Sequence, residues 1–271
     1  MSDAHADGEP VLWAKLTWPE LRELGGRPPR MVILPLGTTE QHGRHLPVDV
    51  DVANCWEIAC RVSAATSIPL LPPLAYGDSR FWEGWPGTLS LQPETFVQLL
   101  LEIADGVVGT GFRRLVLLNG HVGNGPALAI AEGKLRSRHP ELQVRAISWW
   151  DVSPRVVEHV YADAIEGSLR SFHANDAETS VYLTHSPELV REELAVDEPE
   201  AYERPAFSYH SRTLTSSGVI GRATKATAEH GETIVRIATE DLIEFLGRCA
   251  AEDPLPDVWA VPDRPESNAA R

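Results

Sequence analysis

Met31-Val-Ile-Leu-Pro-Leu-Gly-Thr-Thr-Glu-Gln-His-Gly43 opens on six apolar residues and closes on a short polar run between two glycines. An apolar run of that length, ended by a turn signal, reads as a strand buried on both faces of a parallel sheet. Gly37 lets the backbone turn sharply after it. Glu40 and His42 then fall on a loop, with Asp51 nine residues beyond His42. Leu115-Val-Leu-Leu118 is a second buried strand, running straight into Asn119-Gly-His121. A third polar segment, His173-Ala-Asn-Asp-Ala-Glu178, carries two more carboxylates and another imidazole. Parallel strands deliver functional groups at their carboxyl ends, so the first two loops can face one crevice. Carboxylates mixed with neutral imidazoles suit Zn, Mn or Fe better than Ca or Mg. The three segments together point to metal-dependent hydrolysis.

The rest of the chain fits the same architecture. Thr17-Trp-Pro-Glu-Leu-Arg-Glu-Leu24 carries a helix start, and Gly25-Gly26 a stop. Helices are expected from Val52 to about Thr66, from Gln92 to about Gly109, over Gly125–Ser137, within His173–Thr184 and over Ala228–Leu246. Strands are expected at 114–118 and at Gln143–Trp149, with a proline-broken edge or terminal strand at Ile68–Leu74. Strands alternating with helices of this length signify βαβ units, hence an α/β fold with a mostly parallel sheet. The organisation read from this pattern is a single domain over 11–250. Residues 1–10 and the Pro- and acid-rich tail 251–271 are expected to be mobile.

Composition removes several function classes. The 271 residues carry a net charge of −15, which argues against a nucleic-acid binder and against attachment to an anionic membrane. Cys55, Cys60 and Cys249 have neither an even count nor CxxC spacing, so a disulfide framework or cysteine zinc site is not expected. Their use and the polar, acidic N-terminus fit a cytoplasmic protein. The first strand is not followed by GxGxxG, which argues against a dinucleotide-dependent dehydrogenase.

Taken in order along the chain, these motifs resemble the creatininase family of metal-dependent amidohydrolases. The residues concerned are Leu34-Pro-Leu-Gly-Thr-Thr-Glu-Gln-His-Gly-Arg-His-Leu-Pro47 with Asp51, and Glu83-Gly-Trp-Pro-Gly-Thr-Leu-Ser90. They continue through Asn119-Gly-His-Val-Gly-Asn124, His173–Ser180, and Gly218-Val-Ile-Gly221 with Ala226-Thr-Ala-Glu229. The resemblance implies a three-layer α/β/α sandwich, one or two divalent metal ions, and a homo-oligomer, commonly a hexamer. It implies attack of metal-activated water on an amide-type carbon of a small molecule: a cyclic amide, a formamide or a peptide-like bond. Family precedent also includes keto-inositol ring opening and trimming of a small modified peptide. A metal-free scaffold keeping the fold is disfavoured, because every expected ligand is present.

By the same resemblance Glu40 and His121 correspond to ligands of one metal, His42 to a ligand of the other, and Asp51 to the bridging carboxylate. Glu178 corresponds to the remaining ligand and His173 to a proton shuttle. Spacing alone leaves open whether Glu40 and His42 share one ion or serve two. Two positions depart from the family pattern. Gly123 stands where creatinine-hydrolysing members have a metal-binding glutamate, which disfavours creatinine as substrate unless Glu178 takes over that role. Asp176 replaces a glutamate and reaches about 1 Å less far; it is a candidate catalytic carboxylate or simply a helix N-terminal acid. On a regular helix Glu178 would point roughly 140° away from His173, which a helix starting near Asn175 relieves.

Trp82 and Trp85 are candidate pocket walls, as are Gly123 and Asn124, and Trp149-Trp150 carries the same ambiguity between pocket and core. Gly120 and Gly123 offer close backbone approach to a ligand, with main-chain N–H groups for an oxyanion. His45 is a candidate support for a ligand, and His230 reads as a surface or capping residue.

Overall fold

The computed structural model describes residues 8–162, 172–199 and 207–255. The expected mobility of 1–10 and 251–271 falls largely outside these residues. Helix α1 (Trp18–Gly26) precedes strand β1 (Met31–Leu36), then α2 (Val50–Thr66), α3 (Pro93–Thr110), β2 (Arg114–Asn119), α4 (Gly125–Arg138) and β3 (Gln143–Ser148). Helices α5 (Pro154–Val160), α6 (Asp176–His185) and α7 (Ala228–Ala251) follow. A short antiparallel pair, Asp197–Glu198 with Gly221–Arg222, joins the last two of these helices.

The sheet runs β1-β2-β3, all parallel. Residues 68–74 extend it on the free side of β1. Pro69 O accepts from Ile33 N at 3.0 Å, Leu71 N donates to Ile33 O at 2.9 Å, and Leu74 N donates to Pro35 O at 3.0 Å. Three prolines in that segment remove donors, so it pairs only in places. It is not the outer edge that its prolines suggest, because its far side bonds residues 11–13: Trp13 N donates to Leu70 O at 2.9 Å and Leu70 N to Val11 O at 2.8 Å.

Side chains alternate along β1 between the sheet's two faces. Met31 and Ile33, with Val116 and Leu118 of β2, join one apolar cluster packed under α2, α5, α6 and α7. Val32, Leu34 and Leu36, with Leu115 and Leu117, join the other, under α3 and α4. Period two in strands buried on both faces therefore builds an α/β/α sandwich. Trp149 and Trp150 belong to the first cluster, almost fully buried, so that pair is core rather than pocket.

The connections decide where a site can form. From β1 the chain returns through α2, on one face, to the 68–74 segment beside β1. It then crosses through α3, on the opposite face, to β2 on β1's other side. The gap between β1 and β2 is thus a switch point, where crevices open at the strands' carboxyl ends.

Helix α2 starts at Val50, two residues earlier than the periodicity predicts, because its first turn wedges into that gap. A Cβ on Gly37 would lie 2.4 Å from Val52 N, and one on Gly120 would lie 2.3 Å from Asp51 O. Gly37 is therefore needed for close packing against α2, not for an unusual turn. Gly120 likewise receives α2 rather than a ligand, and its N–H is spent on Leu36 O at 2.7 Å.

Gly37→Ala should push the first turn of α2 outward. We expect a loss of about 1–3 kcal/mol in chemical denaturation, the usual cost of overpacking, together with weakened metal uptake. Unchanged stability and unchanged uptake would contradict this account of the glycine.

Candidate metal centre

The loop after β1 is pinned before it reaches the site. Glu40 N donates to Val48 O at 2.9 Å, Leu89 N to Thr39 O at 2.9 Å, and Gln41 N to Thr88 Oγ1 at 3.1 Å. These bonds bury Glu40 and His42 completely. Asp51 arrives from the first turn of α2, and His121 from the turn after β2, where its N–H donates to Asn119 Oδ1 at 3.1 Å. His173 is held by a two-bond antiparallel bridge to Ile220, at 3.0 and 2.8 Å.

Glu178 is set by the start of α6. Asn175 caps that helix, its Oδ1 accepting from Glu178 N at 3.1 Å. Ala174 sits in the left-handed region at φ 51°, a cost of order 1–3 kcal/mol for a non-glycine residue. That twist aims Ala174 N–H at Glu178 Oε2, 2.6 Å away. The helix begins at Asp176, so His173 lies outside it and the roughly 140° separation expected of a continuous helix does not arise.

Three overlapping groups result, each with donor atoms within 4.8 Å of one another: Glu40–Asp51–His121, His42–Asp51–Glu178, and Glu40–His42–His173. Asp51 uses one oxygen toward each side. Its Oδ2 lies 3.0 Å from His121 Nδ1, and its Oδ1 lies 3.3 Å from His42 Nε2. Glu40 Oε1 is 3.3 Å from His121 Nδ1 and 3.5 Å from His173 Nδ1, while Glu178 Oε2 is 3.9 Å from His42 Nε2.

The far nitrogens of the three imidazoles fix their tautomers. His42 Nδ1 faces Glu40 O at 3.1 Å, His121 Nε2 faces Asp78 O at 3.0 Å, and His173 Nε2 faces Gln41 O at 2.7 Å. A carbonyl only accepts, so each of those nitrogens carries the proton in the neutral ring. At His173 the Gln41 Nε2 amide lies 3.1 Å from the same nitrogen, and the shorter carbonyl contact decides in favour of Nε2–H. The other nitrogen of each ring then points a lone pair into the carboxylate cluster. Metal-binding histidines are oriented in this way.

Lone pairs facing carboxylates repel unless a cation lies between them. Glu40 Oε1 and Oε2, His42 Nε2 and Asp51 Oδ2 are all buried with no hydrogen-bond partner. Without metal, protons take the cation's place. Burial opposes charge on His42 and His121, but Asp51 and its neighbouring carboxylates prevail and raise the rings to about 10 and about 9. Burial pushes the carboxyls of Glu40 and Glu178 up to about 7. Asp51 alone stays far below the usual carboxylate range, because both imidazoles face it. Three carboxylates with the imidazoles of His42 and His121, and His173 beside them, suit a divalent ion such as Zn, Mn or Fe.

Other sequence-predicted positions lie apart from the cluster. Asp176 belongs to none of the three groups; its Oδ2 lies 3.6 Å from His230 Nδ1. Residues two apart on a helix point roughly 200° from each other, so once α6 starts at Asp176 only one of Asp176 and Glu178 can face the cluster. His230 is consequently a partner of Asp176 as well as a helix-start residue, not simply a surface one. Asn124 is fully buried and its amide is consumed internally: Nδ2 reaches Gly37 O and Asn119 Oδ1, and Oδ1 accepts from Asp78 N at 2.9 Å. A Cβ on Gly123 would sit 2.4 Å from Asp78 O and 2.5 Å from His121 Nε2. Asn124 is thus held inside the fold, while Gly123 is half-buried. His45 Nε2 contacts Thr179 Oγ1 at 3.0 Å, and burial with nearby His42 lowers its pKa to about 4.

Trp82 is 4% exposed and stacks on His173 with ring centroids 4.0 Å apart. Trp85 is half-buried and donates its indole N–H to Ser211 Oγ at 3.0 Å. The residues that sequence reasoning passed over are Gln41 and Asp78, whose carbonyls orient His173 and His121. Main-chain acceptors leave no compositional trace.

With this geometry in view, the comparisons with known proteins are specific. The Creatininase family profile, described as creatinine amidohydrolase, matches residues 14–246. The chain belongs to the creatininase family. Creatinine amidohydrolase of Pseudomonas putida is 30% identical over 87% of this chain and 96% of its own length. A mycofactocin precursor peptide peptidase of Mycolicibacterium smegmatis is 36% identical over 75% and 79%, respectively. A 3-dehydro-scyllo-inosose hydrolase of Thermotoga maritima is 29% identical over 87% and 84%. Solved creatininases in Zn–Zn and Mn forms, each 28% identical, superpose with TM-scores of 0.78 and 0.79; both alignments cover 90% of this chain, and 99% and 100% of the solved chains. No helix among the described residues is long and apolar enough to cross a membrane.

The raised groups make a sign-definite prediction about pH. A group whose folded pKa is raised binds more protons folded than unfolded, so stability falls as pH rises. For His42 and His121 the contribution is complete below about pH 6.5, the unfolded histidine value, and is lost through about 9 and about 10. Chelator-treated protein should therefore lose several degrees of Tm between pH 7 and 10, and Zn-loaded protein much less. Parallel slopes with and without Zn would mean that the metal binds elsewhere.

Proposed function

We propose that this creatininase-family hydrolase is a metal-dependent amidohydrolase that cleaves a C–N amide-type bond in a small molecule. The observation carrying this reading is Asp51, whose two oxygens reach separate donor groups. Such a carboxylate would suit a pair of divalent ions, as two-metal hydrolysis uses. In this reading Glu40, Asp51 and His121 hold one ion, and His42, Asp51 and Glu178 hold the other. Ions bound there, Zn, Mn or Fe by donor chemistry, would supply Lewis acidity and lower the pKa of water near the substrate carbonyl.

The chain's own part in the reaction centres on His173. Burial and nearby His42 hold its pKa well below the ordinary value, so the ring is neutral at pH 7. Its Nε2 proton is committed to Gln41 O, which leaves Nδ1 as the proton-accepting atom. As the water oxygen bonds to the carbonyl carbon, Nδ1 takes the water proton. The C–N bond then breaks, and the same Nδ1 returns that proton to the leaving nitrogen. Asp176 takes no part in this scheme.

Creatinine itself is disfavoured as substrate. No side chain extends from position 123, and the space a Cβ would need is held by the His121 ring and Asp78 O. Among the described residues, Glu178 of α6 is the carboxylate placed to stand in for one at 123, and turnover of creatinine in the panel below would show that it does. Cyclic amides, formamides and the terminal bond of a short peptide remain the substrate classes, and peptide cleavage by a relative keeps the last of these in view. Assembly as a homo-oligomer rests on family resemblance and is read by solution mass. A cytoplasmic setting rests on cysteine usage.

The test is amine release from a panel of creatinine, cyclic amides, N-formyl compounds and short peptides, by protein loaded with Zn or Mn. At least one amide other than creatinine should turn over, and chelation should abolish that turnover. His173→Gln should keep its metal and lose about 10²–10⁴-fold in kcat. Stoichiometric metal with no C–N cleavage across the panel would sink the amidohydrolase reading. Asp51→Ala should lose both ions and Glu178→Ala one of two, as counted by metal analysis.

A further inference from the structure

The His173 ring is gripped on both faces. Trp82 stacks on one at a centroid distance of 4.0 Å and an interplanar angle of 26°, and His42 covers the other at 4.2 Å and 36°. The ring's edge is held at 2.7 Å by Gln41 O. Gln41 is itself immobilised by its side chain, whose Nε2 donates to Gly218 O at 3.0 Å and lies 3.1 Å from His173 Nε2, and whose Oε1 accepts from Gly43 N at 2.9 Å. Of these neighbours, Trp82 has no other polar or ligating duty at the cluster. It packs with Ile220, the residue whose backbone bridges to His173, and meets Trp85 edge-on at 6.3 Å.

A neutral imidazole can present either nitrogen to a site by flipping its ring or moving its proton. We propose that Trp82 is a positioning residue for His173: its indole face prevents the ring from flipping and keeps Nδ1 directed at Glu40, with Nε2–H locked on the Gln41 carbonyl. This assigns Trp82 a role distinct from a substrate-pocket wall. The consequence is that His173 exchanges protons through one atom only. The proposal deepens the reading of His173 as the proton-accepting group, but the orientation it describes exists whether or not an amide is turned over.

The test uses full-length, Zn-loaded protein labelled with 15N-histidine, with the His173 resonances identified by their absence in His173→Gln. Wild type should show a single Nε2–H tautomer and a nuclear Overhauser contact between the His173 ring and the Trp82 indole. Trp82→Leu fills space without a flat aromatic face and should give mixed tautomers or exchange-broadened His173 signals. Trp82→Phe, which restores such a face, should recover the single tautomer. On a turned-over substrate, Trp82→Leu should lower kcat by tenfold or more with KM within about twofold and metal content unchanged. An undisturbed His173 tautomer in Trp82→Leu would overturn the proposal. So would a raised KM at constant kcat, the mark of a pocket wall. Should Trp82→Leu fail to fold, the wild-type spectrum still decides, because an Nδ1–H tautomer or a missing indole contact would refute it. Absence of amide turnover would count against the proposed function while leaving the spectroscopic result to stand alone.

Discussion

Two glycines allow the first turn of α2 to touch the carboxyl ends of β1 and β2, and the centre depends on that contact. With any side chain at Gly37 or Gly120, the backbone at Asp51 and Val52 would have to retreat by an ångström or more. Asp51 would then leave the point where His42 from one loop and His121 from another both reach it. The α/β/α sandwich supplies the setting, since two strands of one parallel sheet end side by side at a switch point. The close approach of the helix turns that setting into a cluster of converging donors.

The cluster is costly in isolation. Burying an unpaired carboxylate costs of order tens of kcal/mol in a low-dielectric continuum, so real sites neutralise it. Here the neutralisation has two forms. Asp51 and Glu178 each lie in the first turn of a helix, α2 and α6, where the helix dipole favours negative charge. Cations do the rest: metal ions when bound, protons on His42 and His121 when not. The same groups therefore couple metal affinity, proton uptake and folding stability, since ligands must shed protons to accept a metal.

Much of this was legible in the sequence because it rests on local pattern. Buried runs ending in polar loops gave β1 and β2, and alternation with helical segments gave the layered α/β architecture. Glu40, His42, Asp51, His121, His173 and Glu178 converge in three overlapping groups. What escaped was set by tertiary packing. The early start of α2 follows from its wedge between strands, and Gly37 serves that wedge instead of a turn. Asn124, read as a pocket residue, is a clamp between strand ends, and Trp149-Trp150 fills the core. Asp176 and Glu178 could not be told apart until the first residue of α6 was known, because a one-residue change rotates each side chain by about 100°.

Position 123 carries no side chain, and the carboxylate facing His42 comes from α6. A carboxylate at 123 would come from the same turn as His121, so a single β2 loop would serve both halves of the centre. With Gly123 the His121 ring and Asp78 O occupy that space, and the corresponding carboxylate comes from α6. Glu178 is aimed by a strained Ala174 and an Asn175 cap, and His173 lies on the same short segment, bridged to Ile220. One stretch of six residues thus carries both the carboxylate facing His42 and the imidazole facing Glu40. Any shift of that segment moves a donor and the proton-accepting ring together. Trp82, stacked on that ring, is therefore placed to influence chemistry at a cluster it does not join.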